Sequence, residues 1–136
     1  MNPSTSQLTI HSLADAPWYV LAHLAVAVLA VVLGTTVLLR RKGDLTHKTI
    51  GWAWVCLMLS AALTSFFIQA RDRFSFIHVF SVVVLVMVPL ALLHIRRKRV
   101  RAHRITMISV FAGLIIAGAF TLLPYRMLGQ LVFASR

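Results

Sequence analysis

The chain of 136 residues contains no glutamate and only three aspartates, Asp15, Asp44 and Asp72, all outside its long apolar runs. Proton and cation pathways through membranes lean on acidic side chains, as do carboxylate-held metal sites, so this scarcity counts against both. Cys56 is the single cysteine. A disulfide framework, a paired-cysteine motif and a cysteine-held iron–sulfur cluster are therefore excluded. Charge of either sign is scarce as well: 12% of residues are charged and 60% apolar, far from the balance of a water-soluble domain.

What charge there is has one sign. Lys and Arg number 14, for a net charge of +11. A nucleic-acid binder displays such charge on a polar, water-exposed face. Here the cations come in short bursts between long apolar runs, the pattern of a membrane protein, and no nucleic-acid partner is expected. The apolar runs cover residues 17–39, 49–70, 74–95 and 105–124. Each has roughly the twenty residues that a helix needs to cross a ~30 Å hydrocarbon layer. Backbone groups in lipid must be satisfied internally, so even the β-branched stretch Ser81-Val82-Val83-Val84 is expected to be helical. The expected fold is an all-α bundle of four transmembrane helices over residues 17–124, flanked by short polar tails, 1–16 and 125–136. The first tail holds no Lys or Arg and precedes a run too long for a signal-peptide core, so it reads as a tail.

The cations also set the orientation. The first connection (Arg40, Arg41, Lys42, Lys48) and the third (Arg96, Arg97, Lys98, Arg99, Arg101, Arg104) carry ten of the fourteen. By the positive-inside rule both face the cytoplasm and both termini lie outside. Trp18, Tyr19 and Tyr125 then fall at the outer interface, where amphipathic rings belong.

A shift of 56 positions lays Arg40-Arg41-Lys42 on Arg96-Arg97-Lys98, His47-Lys48 on His103-Arg104, and Ser65 on Thr121, with His23 one residue from His78. The two halves read as copies. An even number of crossings per copy gives a parallel repeat, related by a pseudo-two-fold axis along the membrane normal.

Four of the six histidines fit this repeat. His23 and His78 form an outer layer just inside the first and third runs. His47 and His103, each two residues ahead of a run, form an inner layer roughly 20–25 Å away by helix rise. On helical faces, His23, Ala27, Ala30 and Gly34 make a stripe of small residues. A second face holds His47, Gly51, Trp54, Met58, Ala61 and Ser65, and a third His103, Met107, Val110, Leu114, Ala117 and Thr121, with Gly113 and Gly118 on its flanks. Small residues beside an imidazole leave room for a flat object, although they also serve plain helix packing. Near helix N-termini the macrodipole disfavours imidazolium, and neutral imidazole is the form that binds metal. His11 and His94 read as interfacial polar residues, His94 being close enough to the inner layer to stand in for His47 or His103 as a ligand. Trp54, Cys56 and Met58 read as packing.

The expectation is a membrane b-type cytochrome carrying one or two haem b groups, with His23 and His78 as ligands of an outer haem and His47 and His103 of an inner one. Arg71, Arg73 and Arg126 are the outer candidates for the propionates, Lys48 and Arg104 the inner ones, because charge-assisted pairs hold carboxylates best. Two axial imidazoles leave iron no open position, which suits electron transfer, with a quinol or another redox partner as donor. The alternative is a non-catalytic accessory or scaffold subunit of a larger membrane complex or homo-oligomer, its basic connections resting on anionic lipid. Histidine-held zinc or copper is a third possibility, disfavoured for zinc because two imidazoles fall short of its four ligands.

Several strings resemble a known family: His47-Lys48-Thr49-Ile50-Gly51-Trp52-Ala53-Trp54, Phe74-Ser75-Phe76-Ile77-His78, Ala102-His103-Arg104 through Met107, and Gly113 through Arg126. It is the domain-of-unknown-function family twenty-three-oh-six, small bacterial membrane proteins, and the likeness covers nearly the whole chain after residue 17. It implies a four-helix multi-pass protein and leaves function open. Where the family tends to carry glycine after the last proline, this chain has Tyr125. In arrangement alone, the histidine layers are similar to those of transmembrane di-haem b-type cytochromes.

Overall fold

The computed structural model describes residues 17–69 and 76–121. They form four helices: α1 (Trp18–Leu39), α2 (Leu45–Gln69), α3 (Phe76–Arg96) and α4 (Val100–Thr121). No strand occurs among the described residues. Each helix is long and apolar enough to cross a bilayer, and the chain is an all-α four-helix membrane bundle. Side chains that would bury in a soluble protein look outward here: Val28 and Val32 on α1, Leu63 and Phe67 on α2, Val86 on α3, Ile116 on α4. Lipid is the solvent that tolerates this surface.

Consecutive helices pack side by side, and α4 returns more lightly onto α1. The pairs α1/α3 and α2/α4 therefore face each other across the diagonals. The core runs along the middle of the bundle through Ala30, Trp54, Met58, Val84, Val88 and Val110. Hydrophobic attraction between helices is weak in lipid, so close packing and hydrogen bonds must hold the bundle. Both are present. A Cβ added to Gly34 would overlap the Phe111 ring and Trp54 Nε1, and one added to Gly113 would overlap the Phe80 ring. The buried Trp54 indole N–H donates to the Ala30 carbonyl at 2.9 Å, tying α2 to α1. The Ser65 and Ser81 hydroxyls hydrogen-bond each other between α2 and α3. Hydroxyls such as those of Thr36 and Thr106 donate back to carbonyls of their own helices, which satisfies them away from water.

The two described connections are tight. Lys42 Nζ donates to the Leu38 and Arg40 carbonyls at the end of α1, the cation placement favoured at a helix C-terminus. Gly43, at φ 91°, turns the chain. Asp44 Oδ1 then accepts the His47 amide at 2.7 Å and caps α2. This cap starts α2 four residues ahead of the apolar run. At the other connection the Arg99 amide donates to the His94 carbonyl and the Lys98 amide to that of Ile95. With Lys98 at φ 57°, this is a Schellman motif with lysine at the position that glycine usually fills. The next helix follows within three residues.

Candidate functional site

The two tight connections bring their histidines inside the helices, not ahead of them. His47 is the third residue of α2 and His103 the fourth of α4. The diagonal arrangement points both helices' inner faces at one space. A cavity of about 440 Å³ lies there, lined by His47 and His103 together with residues of all four helices. Its rim carries Lys42, Lys48 and Arg104. Its walls and floor are apolar and aromatic, with Gly34 and Leu38 from α1, Trp52, Trp54 and Val55 from α2, Leu92 and Ile95 from α3, and Met107, Ile108 and Phe111 from α4. Among the described residues no acidic side chain lines it, although the Asp44 carboxylate stands close enough to His47 to act on it. The volume is that of a site for a small molecule or cofactor.

Each imidazole has a distinct environment. The Nδ1 of His103 lies 2.8 Å from the Ala91 carbonyl. A carbonyl only accepts, so Nδ1 carries a proton, and in the neutral ring Nε2 keeps its lone pair. That is the arrangement by which a backbone carbonyl orients a metal-binding histidine. His47 differs: its Nδ1 is buried and has no hydrogen-bond partner among the described residues, a state that costs about 1–3 kcal/mol. His47 and His103 are within electrostatic reach of each other. The inner set expected from the sequence, His47, His103, Lys48 and Arg104, is thus gathered around a single cavity.

The repeat is written into this lining. Residues 56 apart stand on opposite walls: His47 and His103, Lys48 and Arg104, Gly51 and Met107, Trp52 and Ile108, Val55 and Phe111. These five pairs are the positions that the 56-residue repeat of the sequence relates.

The outer layer is organised differently. His23 Nδ1 hydrogen-bonds the Thr64 hydroxyl of α2 at 3.0 Å. His78 is 8% exposed, and its ring centroid lies 5.5 Å from that of Phe66, also on α2. Thr64 and Phe66 are separated by about 200° around the helix axis at ~100° per residue, so the two rings engage opposite flanks of α2. Arg71, Arg73 and Arg126, the cations expected beside them, lie outside the described residues, as does His11. His94 does not line the cavity, and its Nδ1 is buried without a hydrogen-bond partner. Among the described residues no group of three or more His, Cys, Asp or Glu side chains is placed to hold a metal ion.

Two features of the site have no counterpart among the residues expected from the sequence: Lys42 at the rim and the Ala91 carbonyl as partner of His103. Lys42 stands in the basic string Arg40-Arg41-Lys42 and is readable there as a helix-ending cation. A backbone carbonyl leaves no trace in the sequence. Gly34, expected to leave space beside His23, instead makes room that Trp54 and Phe111 fill.

A family described as predicted membrane proteins (DUF2306) matches residues 20–135. The chain belongs to this family. The match takes in α2, α3, α4, both tight connections and all of α1 but its first two residues, so the cavity is built wholly from residues within the family's span. No curated protein and no solved structure shows significant similarity to it.

Proposed function

We propose that this protein is a membrane b-type cytochrome whose haem is held at the basic end of the bundle by His47 and His103. One observation carries the reading: two imidazoles on diagonally opposed helices share an apolar cavity with cations at its rim. The residues fit the group chemically. Two imidazoles are too few for a bare zinc ion, whereas a porphyrin supplies four ring nitrogens and asks the protein for two axial ligands. His103 has its proton held at Nδ1 and Nε2 available, and the unpartnered Nδ1 of His47 is a buried polar atom in need of a partner. Apolar walls suit the macrocycle, and Lys48 and Arg104 suit its propionates.

When bound between two imidazoles, haem supplies one-electron transfer without an open iron position. The chain's own part would be to hold the His47 and His103 imidazoles in place, exclude water with Trp54, Val55 and Phe111, and set charge at the rim. An outer haem at His23 and His78 has weaker support, because both rings engage α2 and on different flanks. A quinol donor, association with a larger complex or with further copies, and a place in the bacterial cytoplasmic membrane belong to the same reading and rest on the sequence.

The test is an absorbance spectrum of protein purified after haem-replete expression, oxidised and then reduced with dithionite. A Soret band with the sharp visible bands of low-spin haem is expected, and His103→Ala or His47→Ala should remove the low-spin signature while helix content persists. A colourless protein, or one whose spectrum ignores both substitutions, overturns the reading. Colourless protein that co-purifies with stoichiometric partners supports the accessory-subunit alternative.

A further inference from the structure

Resting on the haem reading, we infer that Gly51 is the contact for the ligand's flat face: it keeps the α2 wall of the cavity open, so that a ring can lie against the helix backbone. Asp44 caps α2 through the His47 amide, so the helix is already formed at His47, and Gly51 stands one turn further on the same face. Both residues line the cavity. A Cβ added to Gly51 would meet nothing within 4 Å, so no neighbouring helix needs a glycine there for close approach. Gly34 and Gly113 are the opposite case, their open sides taken up by Phe111 with Trp54 and by Phe80. Gly118 has open space as well, but it is exposed and does not line the cavity. Glycine inside a helix is less stable than alanine, and at Gly51 packing within the protein gives nothing back. A flat guest against the bare backbone would. The repeat marks the same level on the other wall: Met107 stands one turn beyond His103 as Gly51 does beyond His47. Methionine is a flexible filler of irregular gaps, whereas bare backbone is the complement of a rigid flat surface.

The experiment compares Gly51→Ala and Gly51→Leu with the unaltered chain, and uses Gly118→Leu as control. Each apo-protein is purified in detergent, its thermal unfolding midpoint is measured, and it is titrated with iron protoporphyrin IX by absorbance. Without pigment both Gly51 variants should unfold at or above the midpoint of the unaltered chain, because the new side chain enters open space and alanine and leucine favour the helix. With pigment, affinity should fall about fivefold for Gly51→Ala and about a hundredfold for Gly51→Leu, the range that overpacking costs imply. Gly118→Leu should bind as the unaltered chain does. This split, a helix no weaker and a guest excluded, is what a purely structural role for Gly51 would not produce. If Gly51→Leu binds as tightly as the unaltered chain with the same low-spin spectrum, the inference is overturned and the haem reading stands. It is likewise overturned, with the haem reading intact, if Gly118→Leu weakens binding as much. Should Gly51→Leu lower the apo midpoint, Gly51→Ala decides, and unchanged affinity there overturns the inference. If the unaltered chain binds no pigment, the haem reading falls and takes this inference with it.

Discussion

Lysine at a left-handed backbone position is uncommon, because Cβ crowds the carbonyl oxygen there. Lys98 accepts φ 57° because its amide and that of Arg99 close the end of α3. Glycine would meet the same geometry without the clash. Lys98→Gly should therefore stabilise the bundle by about 1 kcal/mol, read as a higher midpoint of unfolding in detergent. A lower midpoint would mean that the lysine side chain contributes more than its backbone costs. At this scale the site is legible in the sequence only in part. The basic strings and the histidines declare themselves by type and spacing. The Asp44 cap does not, although aspartate three residues ahead of His47 is the usual chemistry of a helix start. The apolar run begins later than the helix, and hydropathy is the stronger guide to the span.

Among the helices, the faces drawn from 3.6-residue periodicity are the faces that bury. Trp54, Met58, Ala61 and Ser65 are buried on α2, Val110 and Leu114 on α4, and Ala30 and Gly34 on α1. In lipid this success is not automatic, since α1, α2 and α4 are apolar on nearly every side. What marks the inner face is small and polar residues at helical spacing, which membrane helices use where they touch. Cys56 shows the converse: expected to pack, it is exposed. Gly34 is the tightest point between α1, α2 and α4. Gly34→Ala should destabilise by roughly 1–3 kcal/mol, the usual cost of overpacking, because Trp54 Nε1 is fixed by Ala30 and cannot retreat. Gly118, where an added methyl would meet nothing within 4 Å, is the control: Gly118→Ala should be neutral or stabilising by up to about 1 kcal/mol. Thermal unfolding of both variants in one detergent decides this, and equal behaviour would refute the tight contact.

For the molecule as a whole, the division of cations predicts which ends face the cytoplasm. In a Cys56→Ala background, Arg41→Cys and Lys98→Cys should escape an impermeant maleimide added to intact cells and react after lysis. Arg71→Cys should react before lysis. The reverse pattern would overturn the orientation. The internal repeat is legible because the histidine and its basic neighbour recur at one distance. That the repeat encloses a cavity is not legible, because it depends on which helices stand diagonally opposite.

At the rim of that cavity the repeat partners are alike, imidazole for imidazole and cation for cation. Deeper in, they differ in bulk: Gly51 is paired with Met107 and Val55 with Phe111, the smaller member on α2, whereas Trp52 is paired with Ile108, the larger member on α2. A planar guest flipped by half a turn would meet the same rim groups and lose its fit, because the two walls are not alike. The mouth is indifferent to handedness and the floor is not, so side-chain volume, far from the rim, would set the facing of any such guest.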